Sequence, residues 1–306
     1  MNLRIGFFIT ITFLLAITPN HSFSSDNPTF RFLRSDVSAR AASLGGGLLT
    51  TPNDINAMFY NPATLGTLNQ PQASFGFYQY IVDVSAGHAS YGQEIPDIGF
   101  IGGGIVFTNY GDFTTTDING IKLDQFSALD LSINGSFATK LNLEPTVGGN
   151  VLIGGSLKYI SSSIANYSSS AFAIDIGGLY QFSNQRTAIA LSILNMGTQI
   201  SSYISTKEPL PSLIKLSFSH RPERLPVNLH ITFNHLNADG NFSDKLQAFS
   251  LGGEFKVGQY LRLRFGYNNQ RRQDLKISSG VGLAGFSLGG GIVYNNYTFD
   301  YGNLMY

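Results

Sequence analysis

The sequence contains no cysteine, few charged residues and no long apolar segment beyond its N-terminus. The lack of cysteine excludes disulfide scaffolds, thiolate zinc sites and catalysis by a thiol. Charged residues make up 12% of the chain, roughly half the share of about 25% in soluble globular proteins. The formal net charge of zero argues against a nucleic-acid binder with a basic surface. A membrane-spanning helix would need about 20 apolar residues, and no later segment provides them.

Glycine and aromatic residues are abundant instead. The chain has 34 glycines, 24 phenylalanines and 15 tyrosines, which favours β structure with aromatic girdles. Its 306 residues would suit two soluble domains, but a single large barrel uses the same length.

The first 24 residues have the parts of a secretory signal peptide. Arg4 provides a positive charge, residues 5–18 are mostly apolar, and Ser22 and Ser24 place small residues before a cleavage site. An uncleaved N-terminal anchor is the alternative. An exported chain without a helix anchor is periplasmic, secreted or an outer-membrane barrel.

From residue 73 onward, apolar and polar residues alternate in segments of about ten. Leu261, Leu263 and Phe265, for example, alternate with Arg262 and Arg264. This period of two predicts β-strands with one apolar face and one polar face. The predicted strands lie near 73–82, 85–93, 98–109, 125–139, 148–163, 167–182, 186–198, 211–220, 226–235, 245–257, 260–269, 280–294 and 297–303.

The connections between the predicted strands fall into two groups. Residues 111–124, 199–210 and 237–244 are long and polar, whereas 183–184 and 295–296 are tight. Long loops at one end of the strands and short turns at the other are typical of outer-membrane barrels.

Alternation alone does not decide which face points outward. A soluble lipocalin-like barrel would hold its apolar side chains inside, whereas a membrane barrel turns them toward lipid. About thirteen strands are too many for a small barrel filled by its own side chains. The charged polar face also suits a lumen. We therefore predict an all-β fold, a transmembrane antiparallel β-barrel.

Residues 38–66 do not alternate and precede the strand array. Glycines and small residues cluster here, which allows backbones to approach closely, and Pro62 fixes a turn after Asn61. We predict that residues 25–72 form an N-terminal plug, or hatch, inside the barrel of residues 73–306.

Several short motifs, in order, carry a family resemblance. They comprise Phe30-Arg31-Phe32-Leu33, Ser38-Ala39-Arg40, Leu44-Gly45-Gly46, Asn61-Pro62-Ala63, Asn109 to Phe113, Asp117 to Gly120, Phe126 to Asp130, and Gly266 to Asn268 with Arg271-Arg272. The chain from about Phe30 onward thereby resembles the PorV/PorQ family of outer-membrane proteins, most closely its PorQ-type members. That family in turn resembles the FadL-type fatty-acid transporters, whose hatch also carries an Asn-Pro-Ala.

The resemblance implies a barrel of about 14 strands, whereas thirteen are predicted here. Either the last residues, up to the terminal aromatic Tyr306, form a short closing strand, or the sequence is truncated before it. It also implies a non-enzymatic component of the type IX secretion and surface-attachment machinery, in contact with outer-membrane lipid and with PorZ-like and PorU/PorV-like partners, and with no cofactor. A FadL-like channel for hydrophobic small molecules is the alternative. A third alternative is a barrel of this family that is retained in an organism without a surviving type IX secretion system.

No catalytic or metal-binding pattern emerges from the residues. The five histidines are scattered, and His230 and His235 would face opposite sides of one strand. The glycine triplets at 45–47, 102–104 and 289–291 lack the Gly-Lys-Ser/Thr of a phosphate loop. We expect the two strand triplets to allow curvature or close packing against the plug.

Two sets of residues remain as candidate sites. The plug motif is one: Ser38, Ala39, Arg40, Leu44, Gly45, Gly46, Asn61, Pro62 and Ala63. We expect Arg40 to pair with a lumen carboxylate such as Asp175 or Asp300, and Asn61-Pro62-Ala63 to form a structural turn rather than a ligand contact. The other set is Asp112, Asp117, Arg271 and Arg272, either solvated loop residues or contacts for a surface partner.

Overall fold

The computed structural model describes residues 29–80, 83–142, 148–275 and 282–305. The predicted signal peptide and Tyr306 lie outside these residues. The described chain forms one antiparallel sheet of thirteen strands, each paired with its neighbours in sequence. The strands are β1 Gln72–Gln79, β2 Ser85–Ile95, β3 Gly99–Thr116, β4 Lys122–Leu141, β5 Gly149–Ile164, β6 Tyr167–Phe182, β7 Thr187–Ser201, β8 Leu213–His220, β9 Val227–Phe233, β10 Phe249–Val257, β11 Leu261–Asn268, β12 Phe286–Tyr294 and β13 Tyr297–Leu304.

The alternating pattern located every one of these strands, and the predicted all-β barrel is confirmed. The main difference lies at residues 111–124, predicted as a long loop. There β3 continues to Thr116 and β4 begins at Lys122, so most of the segment is a paired hairpin with a turn at 117–121. Polar residues such as Thr114 and Gln125 pair across this hairpin. The prediction missed it because a strand made of polar residues lacks the alternation of apolar and polar residues by which strands are recognised.

The polar faces of the strands point into the lumen. In β6, Asp175 and Leu179 are buried, whereas Phe172, Ile174 and Ile176 on the other face are exposed. Apolar side chains that stand outward on strand after strand are what a lipid environment accommodates. The orientation is therefore that of a membrane barrel rather than of a lipocalin-like one.

Residues 29–68 fill the lumen, and we call them the plug. The plug consists of 3-10 helices at Arg31–Arg34, Ile55–Phe59 and Pro62–Thr67 and a short α-helix, α1, at Ala39–Ser43. Its helices contact β1 to β6 and β11 to β13, and the sheet curls around them. Among the described residues, helices that could cross a membrane are absent.

The two ends of the barrel differ. We call the end with the β3–β4, β7–β8, β9–β10 and β11–β12 connections the loop rim, and the opposite end the turn rim. The loop rim carries α2, Phe242–Gln247, and α3, Asn269–Asp274, while the turn rim has tight connections at 183–186 and 295–296. The predicted long loops thus share one rim, opposite the tight turns. The short β5–β6 turn also lies on the loop rim.

The first and last strands do not pair with each other in the described chain. Thirteen strands in up-and-down order leave β1 and β13 running in the same direction. A cavity of about 560 Å³ lies between them, with Asp36, Ser38 and Ala39 of the plug in its lining. The described residues thus provide thirteen of the expected 14 or so strands. We call the gap between β1 and β13 the seam.

We predict that the mature protein fractionates with the outer membrane and changes its gel mobility on boiling. A barrel with an apolar exterior resists dodecyl sulfate until heated, because successive strands are held together by continuous backbone hydrogen bonds. Membrane fractionation and paired heated and unheated gels test this. Recovery in the soluble periplasm, with one gel mobility, would contradict it.

Candidate functional site: the plug in the lumen

Arg40 links the plug to the barrel wall. From α1 its guanidinium donates two hydrogen bonds to Glu254 of β10, Nε–Oε2 at 3.0 Å and Nη2–Oε1 at 2.9 Å. We call residues 29–46 of the plug, which contain α1, its first arm, and residues 47–68 its second arm. The Nη1 of Arg40 lies 3.1 Å from Oδ2 of Asp54, in the second arm. A two-pronged arginine–carboxylate pair fixes orientation as well as distance. Burial alone would lower the pKa of Arg40, but the charges of Glu254 and Asp54 outweigh it, and the pKa is raised.

The ion pairs extend along the wall from Glu254. Arg264 of β11 donates from Nε to Glu254 Oε2 at 2.7 Å and from Nη1 to Asp300 of β13, also at 2.7 Å. Two arginines therefore meet three carboxylates around a buried centre, the pair of Glu254 and Arg264, while Asp300 at the end of the chain of contacts is exposed. Because an unpaired charge in such a setting costs several kcal/mol, the five groups hold one another in place.

The expected partners of Arg40 were wrong. Asp175 pairs with Lys158 at 2.6 Å within the wall, and Asp300 pairs with Arg264. The requirement for a carboxylate partner was right. Glu254 is the partner of Arg40 because α1 contacts the wall beside it. The sequence does not specify where α1 contacts the wall.

A second link joins the plug to β1. The Tyr60 hydroxyl accepts a hydrogen bond from the Val37 backbone at 2.7 Å, and the Tyr78 hydroxyl of β1 donates to the Val37 carbonyl at 2.6 Å. Burial raises the pKa of Tyr60 well above its usual value, with the charge of Asp36 adding to the shift. Tyr60 therefore stays a neutral structural group.

The contacts around α1 explain the residue types of the plug motif from Ser38 to Gly46. The Ser38 hydroxyl caps the helix by accepting a hydrogen bond from Ala41 N at 3.2 Å, and the helix ends at Ser43, with Leu44 as its C-cap. Gly45 and Gly46 follow with φ of 65° and 87°, a region that side chains disfavour. A Cβ on Gly45 would also lie 3.0 Å from the Tyr267 carbonyl of β11. The glycines thus turn the chain directly against the wall.

Asn61, Pro62 and Ala63 begin the last helical turn of the plug. Asn61 is fully buried and caps this turn by accepting from Ala63 N at 3.1 Å. Its amide nitrogen donates to the carbonyls of Leu49, at 3.0 Å, and Gly178 of β6, at 3.2 Å. All these contacts are structural ones.

Glycines on the strands make room for the plug, as expected for two of the triplets. A Cβ on Gly102 would come within 2.9 Å of Leu65, and one on Gly104 within 2.6 Å of Phe59. In the other strand triplet, residues 289–291, a Cβ on Gly289 would overlap Ser43. The same holds where Gly154 and Gly177 face the Asn61-Pro62-Ala63 turn. The wall is therefore shaped to this plug.

The four candidate surface residues occupy different settings. Asp112 is exposed on β3, and Asp117 shapes the hairpin turn by accepting from the backbone of Asn119 and Ile121. Arg272 is exposed on α3. Arg271 was expected at an exposed loop tip, but it is partly buried and pairs with Asp36 of the plug at 2.6 Å. α3 folds over the loop rim and turns this arginine inward, so its position corrects the expectation.

The histidines serve local contacts. His230 of β9 lies 3.3 Å from the Thr50 hydroxyl, and His235, beyond the end of that strand, lies 3.2 Å from Gln270. Burial lowers the pKa of His235 to about 3, together with the charges of Arg34 and Lys215, so it is neutral at pH 7. Within the described residues, no three histidine, cysteine or acidic side chains gather as a metal site would require.

Sequence reasoning missed the pairing roles of Asp36, Asp54 and Lys158. Asp36 and Asp54 stand in the non-alternating part of the chain, where no periodicity assigns a direction to a side chain. Lys158 lies on the inward face of β5, so the alternation of apolar and polar residues was the signal that could have shown that this lysine needs a carboxylate.

Comparison with known proteins defines the fold. No protein-family model matches the sequence, and no curated protein matches it. The structure is similar to the crystal structure of a Pseudomonas aeruginosa FadL homologue, with a TM-score of 0.53 and 11% identity, over 86% of this chain and 88% of that one. The chain therefore shares the fold of that FadL homologue. In this chain the fold consists of a β-barrel wall with a plug in its lumen.

Neighbouring glycines on β6 provide a matched test of plug seating. A Cβ on Gly177 would overlap Asn61, whereas one on Gly178 meets nothing within 4 Å. We expect Gly177→Ala to lower the free energy of unfolding by about 2 kcal/mol through overpacking and Gly178→Ala to change it little. Equal unfolding midpoints for the two variants, measured by circular dichroism in detergent, would contradict the fit of wall and plug.

Arg40→Leu tests the ion-pair link. The variant leaves Asp54 without its cation, and we expect a loss of about 3 kcal/mol in unfolding free energy. Arg272→Leu, at an exposed site, is the control and should cost less than about 0.5 kcal/mol. Similar losses in both variants, measured by denaturant titration, would show that Arg40 does not hold the plug.

Proposed function

We propose that this barrel is a PorQ-type, non-enzymatic component of the type IX protein secretion and surface-attachment machinery. In this role the barrel anchors partner proteins at the cell surface, including a PorZ-like one, near a PorU/PorV-like complex that processes and attaches cargo. The order and spacing of the plug and strand motifs support the family assignment. The proposal concerns the particular role, beyond the FadL-like fold itself.

The fixed plug is the observation that carries the proposal. Arg40, Asn61 and Val37 tie it to β10, β6 and β1, and the wall glycines fit its contour. Leu44, Leu48, Leu65 and other fully buried plug residues fill the interior. A lumen occupied in this way favours a rigid anchor whose working surface lies at the rim.

The loop rim offers such a surface. Ile118 and Ile121 at the β3–β4 tip, Ile204 in the β7–β8 loop and Phe242 on α2 are all more than half exposed. Large apolar side chains held at loop tips, away from the strand faces that meet lipid, are typical of protein–protein contacts. We infer that these four residues contact the partner, with Asp112, Asp117 and Arg272 as polar contacts nearby.

A FadL-like channel for hydrophobic small molecules is the second candidate. The fold favours it, and so does the seam, since Phe77 and Tyr78 of β1 and Tyr301 and Leu304 of β13 line the cavity there. An aromatic-lined gap in a barrel wall is a reasonable path between lumen and lipid. The two candidates therefore assign function to different parts of the molecule.

Two variants separate the candidates. A loop variant replaces Ile118, Ile121, Ile204 and Phe242 with serine, and a seam variant replaces Tyr301 and Leu304 with alanine. We expect the loop variant to lose a large surface partner in affinity purification and to impair cargo attachment, while the seam variant keeps both. Both proteins should retain heat-modifiable mobility, because neither set of substitutions breaks a backbone ladder.

The opposite pattern would overturn the proposal. If the loop variant still secretes and attaches cargo while the seam variant loses uptake of a hydrophobic ligand, the barrel acts as a channel. Normal cargo attachment in cells without the gene would also count against a secretion role.

A further inference from the structure

A second cavity of about 560 Å³ opens at the turn rim, away from the seam and the loop surface. The plug contributes residues 50–53 and 66–69 to its lining, and the ends of several strands and turns complete it. Its charged lining is unbalanced. Lys140, Arg186, Arg221 and Lys256 face one carboxylate, Glu94, although the whole chain has no net charge.

The four cations come from separate parts of the wall. Lys140 is near the end of β4, Arg186 lies in the β6–β7 turn, Arg221 follows β8, and Lys256 is near the end of β10. In the described part of the chain, Arg186 pairs with Glu223, whereas the other three form no ion pair. The three cations without an ion pair come from three separate elements, and their convergence on one cavity creates a focused positive potential.

Lys256 shows the imbalance most clearly. It is half-buried, and its direct cross-strand neighbour is another cation, Arg262 of β11. The closest carboxylate on the same strand face, Glu254, is already bound by Arg40 and Arg264. Like charges placed opposite each other destabilise a sheet unless something offsets them. A bound anion would provide that offset.

The rest of the lining offers hydrogen-bond donors. The amides of Asn150, Gln181 and Asn228 line the cavity and form no side-chain hydrogen bond within the described residues. The Thr51 hydroxyl, on the plug side, is buried and also has no partner there. Lysine and arginine charges combined with uncommitted amide and hydroxyl donors match ligands with several anionic oxygens.

We propose that the turn-rim cavity binds a small, multivalent anion that carries phosphate or carboxylate groups. The lining would not suit an apolar ligand, and the site is separate from the surface inferred to contact a partner. It does not depend on the secretion role, so either proposal can fail without the other.

Calorimetric titration of the purified barrel in neutral detergent at low ionic strength tests this site. Pyrophosphate and citrate serve as multivalent probes and chloride as the monovalent control. We expect saturable binding of at least one probe, with affinity that falls as salt is added, because the contacts are electrostatic. The triple variant Lys140→Ser, Arg221→Ser and Lys256→Ser should weaken binding at least tenfold.

A matched triple variant controls for total charge. Lys122→Ser, Lys207→Ser and Arg224→Ser also remove three positive charges, but none of these residues lines the cavity. This variant should retain wild-type affinity. If the first triple variant fails to fold, judged by heat-modifiable mobility, the single variant Lys256→Met replaces it and should show a smaller loss of affinity. The absence of saturable binding to the wild type, or equal losses in both triple variants, would overturn the proposal.

Discussion

The ion pairs between Arg40, Glu254 and Asp54 are the constraint on which the rest of the interior depends. Arg40 lies in the first arm of the plug, Asp54 in the second and Glu254 on the wall, so one guanidinium fixes three separate parts of the chain. Charges taken out of water are tolerated only with partners in good geometry. The plug can therefore leave this position only by exposing several charged groups at once, and that makes it part of the folded core.

Close approach is the second condition, and glycine provides it. A plug with two bulky arms fits the lumen only where the facing strands lack side chains, as at Gly102, Gly104, Gly154 and Gly177. Glycine weakens a strand interior, because it increases the conformational entropy of the unfolded chain and has no side chain to pack against its neighbours. The barrel keeps these positions because the plug packs there instead. Wall and plug thus form one packed unit, and neither has a complete core alone.

A fixed interior leaves three surfaces on which function can act, and they lie apart. The loop rim presents exposed apolar side chains on connections that are not required for the strand ladders. The seam between β1 and β13 presents aromatic residues beside the plug. The turn-rim cavity presents cations from four elements with a single carboxylate. Their chemistries differ, since one suits a protein partner, one an apolar molecule and one an anion.

The sequence by itself determined the strands, the apolar and the polar face of each, the non-strand segment that precedes them and the need for a partner at Arg40. Each follows from local information, namely a period of two, clustered glycines or a charge that cannot stay unpaired. Tertiary structure alone decided that Arg40 meets Glu254, 214 residues away, and that Arg271 turns inward to Asp36. It also made a hairpin of the polar 111–124 segment and brought the turn-rim cations together. These outcomes depend on how the sheet curls around the plug, and the pattern along one strand carries no information about which distant element it will face.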